Sequence, residues 1–245
     1  MGLGGAIAAA QFAPVQGDLS HNIGIALQIS FEAALAGAKL VVLPELCVSG
    51  PDIFGVKEAS RAAQSSMGWQ TREFQNIASS AGIYILFGYV EAAEGNFYNS
   101  CALVGPDGSV HNFRKRNLWS SDFFWATAST DEQGEIAVTP LGRIGALICR
   151  DVQNRDRRST GGAGQPYYTR GSVDIVCVPA NWSTAAEFPH HEWVELAEEV
   201  RATVVVANRC PALEDPHVGG SCIISPTLEV IVGDQHTACI VGAFL

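Results

Sequence analysis

The chain has 245 residues, of which 47% are apolar and only 16% are charged, with a formal net charge of −10 and a pI near 5.0. This acidic balance argues against binding nucleic acid or an anionic membrane through the whole surface, because phosphate groups require a positive face. The length and apolar content allow a large buried core, and the 25 glycines are typical of an α/β enzyme.

Apolar runs and amphipathic segments alternate along both halves of the chain. In the first half they predict strands over 6–13, 39–45, 83–91, 99–106 and 109–116, and helices over 21–37 and 67–81. In the second half they predict strands over 143–149, 174–181, 202–209, 220–226 and 239–244, and helices over about 160–171 and 187–201. Pro106, Asp107 and Gly108 indicate a hairpin turn between two strands, and "SPTLEV" indicates a second hairpin.

The element order β-α-β-α-β-β-β therefore occurs twice and predicts two mixed β-sheets. If the sheets face each other and the helices cover their outer sides, every apolar face is buried. We predict a four-layer αββα sandwich of the α/β class. Because no Pro/Ser-rich linker or long charge run divides the chain, we also predict a single domain over 1–245.

The cysteine pattern favours a reducing compartment. The seven cysteines are an odd number, are scattered without a CxxC motif, and mostly lie in apolar runs, so we predict reduced core thiols in a cytoplasmic protein. The N-terminal segment lacks a basic region, and no segment approaches the ~18 apolar residues of a membrane span, so neither a signal peptide nor a membrane segment is predicted.

No feature of the sequence indicates a cofactor. There is no Gly-rich phosphate loop or dinucleotide fingerprint, and the His190–His191 pair lacks metal-ligand spacing. We therefore predict no metal and no organic cofactor. The two histidines are predicted to cap or open the helix that follows them.

Three strand ends carry residues capable of chemistry: Glu45 after "KLVVLP", Lys115 in "NFRKRNLW" and Cys149 after "RIGALI". Taken singly, each has a non-catalytic interpretation, as a capping carboxylate, a solvated lysine or a core thiol. Cys149, however, lies at a strand-to-loop junction directly before Arg150 and Asp151, which makes it a candidate nucleophile.

The segments "VVLPELCVSG", "FRKRNLW", "TPLGRIGALICRD" and "VPANW" resemble, in this order, the four signature segments of the nitrilase superfamily of carbon–nitrogen hydrolases. The segments "AAAQFAPVQGDLSHNI" and "VGGSCIISP" extend the resemblance over almost the whole chain. The resemblance implies that Glu45 is the general base, Lys115 the cationic stabiliser and Cys149 the nucleophile. It further implies a homodimer or a larger homo-oligomer.

Hydrolysis of an unreactive amide carbon explains why these three residue types would be needed. A cysteine converts the substrate to a thioester, provided that Glu45 takes the thiol proton or Lys115 lowers the thiol pKa. We hypothesise that the Lys115 ammonium and the backbone N–H of Arg150 stabilise the oxyanion. Glu45 would then protonate the leaving amine and activate water.

Family members usually carry a second glutamate shortly after the lysine, and this chain has none at that place. Asp122 is the nearest acidic residue; it either replaces the glutamate or is a solvated loop carboxylate. Glu132 and Glu135 lie farther along and are interpreted as surface charges.

The residues after Cys149 bear on the substrate. "CRDVQNRD" lacks the Trp and Glu that follow the cysteine in true nitrilases, which favours an amidase or a carbamoylase-like enzyme. Arg150 or Arg155 could bind a substrate carboxylate, as guanidinium groups do well. Alternatively, these arginines pair with Asp151, Asp156 and carboxylates across a subunit contact.

Polar and aromatic residues are predicted to line the pocket. Asn181 and Trp182 follow a strand, where an amide and an aromatic wall could border a substrate. Trp119 and three neighbours could cover an apolar cavity; the neighbours are Phe123, Phe124 and Trp125.

The sequence therefore predicts a cofactor-free hydrolase of a small linear amide or carbamoyl compound, with no nucleic-acid or membrane partner. Nitrile hydrolysis and N-acyl transfer by the same three residues remain alternatives. A glutaminase that supplies ammonia to a partner is another alternative, although the chain contains no synthetase domain. A non-catalytic scaffold that binds a partner is the alternative from a different functional class.

Overall fold

The computed structural model describes residues 6–131, 134–153, 167–182, 189–210, 219–234 and 237–244. These residues form twelve strands and four α-helices. In chain order they are β1 Ala6–Gln11, α1 Leu19–Leu35, β2 Ala38–Val42, α2 Val56–Ala62, α3 Trp69–Ala81, β3 Tyr84–Ala93, β4 Asn96–Val104, β5 Val110–Arg114, β6 Ala137–Thr139, β7 Gly142–Ala146, β8 Ile175–Ala180, α4 His191–Val200, β9 Thr203–Asn208, β10 Cys222–Ile224, β11 Val230–Val232 and β12 Cys239–Phe244.

The strands form two six-stranded sheets. The first has the order β12-β1-β2-β3-β4-β5 and the second β11-β10-β9-β8-β7-β6. Strands β1, β2 and β3 run parallel, as do β7, β8 and β9, and the remaining neighbours are antiparallel. Both sheets are therefore mixed, as predicted.

The sheets pack face to face. One apolar cluster joins inward-facing side chains of both sheets, including Leu40 and Leu86 of the first and Ile144 and Val205 of the second. Helices α1 and α3 cover the outer side of the first sheet, and α4 covers that of the second. This arrangement is the predicted αββα sandwich.

Several element boundaries differ from the predicted ones. The short elements α2, β6 and β11 are not predicted, because three to seven residues give too little periodicity to recognise. Both predicted hairpins are present: the Gly105 N–H donates to the Ser109 carbonyl at 2.9 Å, and the Ser225 N–H donates to the Glu229 carbonyl at 2.8 Å.

The prediction of a helix over about 160–171 is wrong for residues 167–171, which form turns; residues 160–166 lie outside the described ranges. Tertiary contacts explain the difference. The Tyr168 ring lies directly against Gly145 of β7, and its hydroxyl accepts from the Ala146 N–H at 3.0 Å. A side chain anchored in this way fixes the local backbone whatever its helix propensity.

No helix in the described part of the chain has the length and apolar character that crossing a membrane requires.

Candidate active site

Strand direction brings Glu45 and Lys115 to one edge of the first sheet. Because β5 is antiparallel to β4, β4 is antiparallel to β3, and β3 is parallel to β2, strands β2 and β5 point the same way. Glu45 follows β2 and Lys115 follows β5, so both leave the sheet at the same edge. The Lys115 N–H donates to the Asn99 carbonyl of β4 at 2.8 Å, which extends the pairing to the site.

Lys115 is the centre of a buried polar cluster. Its Nζ lies 2.7 Å from Glu45 Oε1 and 2.6 Å from Asp122 Oδ2. The Asn99 Nδ2 donates to Glu45 Oε1 at 2.9 Å and to Asp122 Oδ1 at 3.1 Å, and so bridges the two carboxylates. Charge-assisted hydrogen bonds of this kind are the strong ones, and burial of all four residues shields them from water.

Asp122 is only 4% exposed, so it is not a solvated loop carboxylate. It lies in a short 3-10 turn, Ser120–Phe124, and its Oδ2 also accepts from the Trp119 N–H at 3.1 Å. Asp122 therefore contacts the ammonium as the second glutamate of the family would be expected to do. Its role in catalysis stays a prediction.

Cys149 lies where β7 ends and a short 3-10 turn, Cys149–Val152, begins. Its φ of 49° is in the left-handed region, which non-glycine residues rarely adopt and which often marks functional sites. Cys149 is 7% exposed, and its thiol lies beside the Glu45 carboxylate and the backbone of Asn181. The three candidate catalytic side chains therefore converge.

Burial and the neighbouring Glu45 carboxylate raise the pKa of the Cys149 thiol well above its usual value, although Lys115 and the Asn181 N–H oppose the shift. The resting site therefore holds a protonated thiol. Of the two predicted activation routes, the geometry favours proton transfer to Glu45 over a standing thiolate paired with Lys115.

Burial by itself lowers the pKa of Lys115, but the neighbouring carboxylates of Glu45 and Asp122 outweigh it and raise the pKa above its usual value. Lys115 is therefore an ammonium at neutral pH. It can stabilise negative charge, and it cannot serve as a base.

Asp151 holds the nucleophile turn against the lysine segment. Its Oδ1 accepts from the backbone N–H groups of Arg116 at 3.1 Å and Asn117 at 2.8 Å, and its Oδ2 accepts from the Ile148 N–H at 3.0 Å. Burial raises its pKa to about 6, although these three hydrogen bonds and Lys115 act in the opposite direction. The alternative that Asp151 pairs with the arginine side chains finds no support among the described residues.

A cavity of about 250 Å³ opens beside the nucleophile. It is lined by Trp119, Cys149, Arg150, Gln153, Asn181, Trp182, His190, His191 and Glu192. The Arg150 guanidinium lies 3.8 Å from the centre of the Trp119 ring, a cation–π contact that holds the cation at the cavity wall. Arg155 lies outside the described residues.

Asn181 and Trp182 both line the cavity, but the Asn181 side-chain oxygen is bonded within the protein. The Asn181 Oδ1 accepts from Arg209 Nε at 2.7 Å, so its side chain is already engaged, whereas its backbone N–H faces the sulfur. The Trp182 N–H donates to the Oδ1 of Asn208 at 2.8 Å, which anchors the backbone of Trp182 to the end of β9.

A second cavity, of about 290 Å³, contains the catalytic candidates. It is lined by Glu45, Leu46, Pro51, Asp52, Lys115, Trp119, Ser120, Ser121, Asp122, Cys149 and Asn181. Trp119, Cys149 and Asn181 border both cavities, so substrate could extend from one into the other.

The predicted aromatic roof is largely wrong. Phe123 and Phe124 are 67% and 65% exposed and border neither cavity, while Trp125 is buried in a separate apolar cluster with Leu46. Of the four predicted aromatic residues, only Trp119 borders the two cavities. Glu135 is an exposed carboxylate, as predicted, and it lies 3.1 Å from His111 Nδ1; Glu132 lies outside the described ranges.

His190 is the N-cap residue that precedes α4, and its Nδ1 accepts from the Glu192 N–H at 3.4 Å, which confirms the predicted capping role. The side chains of His190, His191 and Glu192 bring ligand atoms within 4.8 Å of one another. Among the described residues, these three are the group that could hold a metal ion.

Residues 6–241 match the family described as carbon-nitrogen hydrolase. The chain belongs to the carbon-nitrogen hydrolase family. The match confirms the predicted recognition and enzyme class, and it covers nearly the whole chain, from β1 into β12.

Curated relatives agree with this assignment. The chain is 28% identical over 233 residues to omega-amidase NIT2 of Xenopus tropicalis, covering 89% of this chain and 81% of the relative. It is 29% identical over 225 residues to omega-amidase NIT2 of Homo sapiens, covering 86% and 78%.

Solved structures share the fold. The CN-hydrolase superfamily protein XC1258 of Xanthomonas campestris superposes with a TM-score of 0.81 at 19% identity, covering 99% of this chain and 90% of that chain. An amidase of Nesterenkonia sp. AN1, a double mutant in complex with acrylamide, superposes with a TM-score of 0.81 at 17% identity, covering 98% and 90%. The predicted αββα sandwich is confirmed.

Sequence reasoning missed Asn99, Asn208 and Arg209, and it interpreted Asp151 only as an ion-pair partner. Asn99 and Asn208 are polar residues in apolar strands, and such residues require buried partners. That signal was available in the sequence, but the identity of the partners depends on which strands are neighbours.

Proposed function

We propose that this hydrolase cleaves the terminal amide of a small linear carboxylic-acid amide, an ω-amide, through a thioester on Cys149. The observation that carries the proposal is the convergence of Glu45, Lys115 and Cys149 at one cavity. The omega-amidase relatives support the choice of substrate class.

In the proposed first half-reaction, Glu45 takes the Cys149 proton as the sulfur attacks the amide carbon. The new C–S bond places negative charge on the former carbonyl oxygen, which the Lys115 ammonium stabilises. The oxyanion then collapses, the C–N bond breaks, and Glu45 passes its proton to the departing ammonia.

In the second half-reaction, Glu45 removes a proton from water, and the hydroxide attacks the thioester carbon. The C–S bond breaks, the sulfur recovers the proton from Glu45, and the carboxylic acid leaves. The Asn181 backbone, which opposes the rise of the Cys149 pKa, also favours the developing sulfur anion. The backbone N–H of Arg150 stays the predicted second donor to the oxyanion.

Arg150 is proposed to bind the carboxylate at the far end of the substrate. It lines the cavity next to Cys149, and its guanidinium lies over the Trp119 ring, 3.8 Å from the ring centre. A planar, oriented guanidinium suits a carboxylate, which it can bind through two parallel hydrogen bonds. Trp119 and Trp182 are proposed to line the apolar part of the substrate path.

Ammonia release from ω-amides, N-carbamoyl amino acids, aliphatic amides and nitriles tests this function. We expect turnover of ω-amides, no turnover by Cys149→Ala, and a loss of about 10²–10³-fold with Lys115→Ala, the cost of removing one oxyanion donor. Cys239→Ala, which changes a cysteine outside the site, is the matched control and should be fully active.

Intact mass measured during turnover should reveal an acyl adduct on Cys149 of the wild-type protein that is absent from Cys149→Ala and reduced in Glu45→Gln, which lacks the base. Hydrolysis of nitriles alone, or consumption of amide only when an amine acceptor is present, would replace the amidase assignment by one of the alternatives. Wild-type protein inert towards every compound would support the scaffold.

We further propose that residues 1–245 form a single domain, that the protein is a homodimer or larger homo-oligomer, and that it is cytoplasmic. The pairing of β12 with β1 supports the single domain, since the two ends of the chain share one sheet. The free cysteines support a reducing compartment. Light scattering on the purified protein tests the oligomeric state, and a monomer at micromolar concentration would contradict it.

A further inference from the structure

We propose that Glu192 binds a substrate amino group, so that the preferred ω-amide carries an ammonium as well as a carboxylate. This inference rests on the proposed function and adds a second recognition element to it. The substrate class is then the ω-amide of an amino acid rather than that of a simple dicarboxylic acid.

Glu192 lies in the first turn of α4 and borders the cavity next to Cys149. Its Oε1 accepts from Gln153 Nε2 at 3.0 Å, which fixes the carboxylate at the wall. Its Oε2 is shielded from solvent and has no hydrogen-bond partner among the described residues. One oxygen is therefore held in place while the other has no donor among the described residues, and a ligand reaches that second oxygen only when the carboxylate turns towards the cavity.

A buried carboxylate oxygen without a donor is costly, because it has lost its hydration and gained nothing in return. An ammonium group of a ligand supplies up to three donors and the opposite charge. The helix N-terminus also favours an acidic residue at this position, but that interaction acts through the helix dipole and does not require the residue to border a cavity.

The cavity offers charges of both signs to a ligand bound at Cys149. Arg150 and Glu192 line the same space of about 250 Å³, on the order of eight water molecules at ~30 Å³ each. Such a space holds a short chain bearing both groups. If one carbon carries both a carboxylate and an ammonium, Arg150 and Glu192 can bind them together while the amide carbon meets the sulfur.

Four amides of matched chain length separate the contributions. Butyramide has neither group at its fourth carbon, glutaramate has a carboxylate, 4-aminobutyramide has an ammonium, and L-glutamine has both. Each is assayed with wild-type protein, Glu192→Gln and Glu198→Gln, in the presence of EDTA, so that a metal ion at His190 and His191 does not contribute.

We expect Glu192→Gln to lower kcat/KM about 10–100-fold for L-glutamine and 4-aminobutyramide, the range for a hydrogen bond to a charged group. For glutaramate and butyramide it should change kcat/KM by less than about threefold. Glu198→Gln makes the same chemical change on an exposed position of α4 and should leave all four values unchanged.

Equal losses on all four substrates would overturn the inference, since they would indicate a structural role for Glu192. A wild-type preference for glutaramate over L-glutamine would also overturn it, while leaving the proposed function intact. If the wild type hydrolyses none of the four, calorimetric binding of the same compounds to Cys149→Ala still decides the inference: tighter binding of the amino-bearing compounds, lost in the double variant with Glu192→Gln, supports it, and equal or absent binding contradicts it.

Discussion

At the scale of single residues, the site depends on one buried ammonium held between two carboxylates. Asp122 offers two oxygens to three donors, which are the Lys115 ammonium, the Asn99 amide and the Trp119 N–H. An asparagine in its place has one acceptor oxygen and brings two donors of its own. The position therefore requires an acid.

We expect Asp122→Asn to lower the free energy of unfolding by about 1.5–3 kcal/mol, the value of a hydrogen bond to a charged group, and to lower kcat by at least tenfold. Asp122→Glu should retain more activity than Asp122→Asn, since it keeps the charge. Urea denaturation and ammonia release measure both effects. An Asp122→Asn variant with wild-type kcat would remove Asp122 from the catalytic cluster.

Asp151 gives the fold a pH dependence of unusual sign. Its pKa is about 6 in the folded protein and about 3.9 in an unfolded chain, so between these values the folded state binds a proton that the unfolded state has released. Its contribution to stability is therefore complete below about pH 4 and is lost as the pH rises through 6.

The stability of the wild type relative to Asp151→Asn should accordingly fall by up to about 3 kcal/mol between pH 4 and pH 7, at ~1.4 kcal/mol per pKa unit. Asp174→Asn is the control of opposite sign. The Asp174 pKa is lowered by hydrogen bonds from Arg143, so stability relative to that variant should rise with pH. If the stability of the wild type relative to each variant changed with pH in the same direction, the assigned pKa shifts of Asp151 and Asp174 would be contradicted.

At the scale of elements, the close approach of β3 to the segment after β2 sets the position of Glu45. A Cβ at Gly88 would lie 2.5 Å from the Leu46 nitrogen and 2.7 Å from the Pro44 oxygen, both backbone atoms that cannot swing aside. The Leu43 N–H and the Val48 N–H also bond to the carbonyls of β3. Because Gly88 has no side chain, the segment after β2 that contains Glu45 can pack directly against β3.

Gly88→Ala should lower the free energy of unfolding by about 1–3 kcal/mol and, by moving Glu45, reduce kcat by as much as about 10²-fold. Gly24→Ala is the matched control: it lies inside α1 with nothing within 4 Å of the added Cβ, so it should stabilise by about 0.5–1 kcal/mol. Thermal unfolding and turnover assays measure both. A Gly88→Ala variant with full activity would show that the segment tolerates displacement.

At the scale of the whole molecule, Gln11 links the two sheets and the end of the chain. Its Nε2 donates to the carbonyls of Asp234 at 2.6 Å and Thr237 at 2.7 Å, and its Oε1 accepts from the Ser221 N–H at 2.9 Å. It lies at the end of β1, next to the point where β12 joins the first sheet. One fully buried amide thus satisfies three backbone groups far from it in sequence.

We expect Gln11→Leu to cost about 3 kcal/mol of unfolding free energy, because buried groups left without partners cost about 1–3 kcal/mol each. Gln16→Leu removes two exposed hydrogen bonds and should cost less than about 1 kcal/mol. Chemical denaturation of both variants measures the difference. Equal midpoints would mean that the link made by Gln11 is dispensable.

The sequence by itself determined the two sheets, the longer helices, both hairpins and the identities of Glu45, Lys115 and Cys149 as candidates. These follow from hydrophobic periodicity, turn chemistry and motif order, which are local properties of the chain. The sequence also singled out Cys149, Asp122 and Asp151 as residues of interest. It did not predict which groups their side chains contact.

Only the tertiary structure decided which side chains meet. It buried Asp122 beside Lys115, turned Asp151 towards three backbone N–H groups, used the Asn181 amide to hold Arg209, and left Phe123 and Phe124 exposed. The physical reason is that hydrogen bonding and burial depend on neighbours brought together by strand order and loop path. A sequence pattern specifies which face of a helix or strand is apolar. The hydrogen-bond partners of the polar residues at its end depend on which other helices, strands and loops pack beside that end.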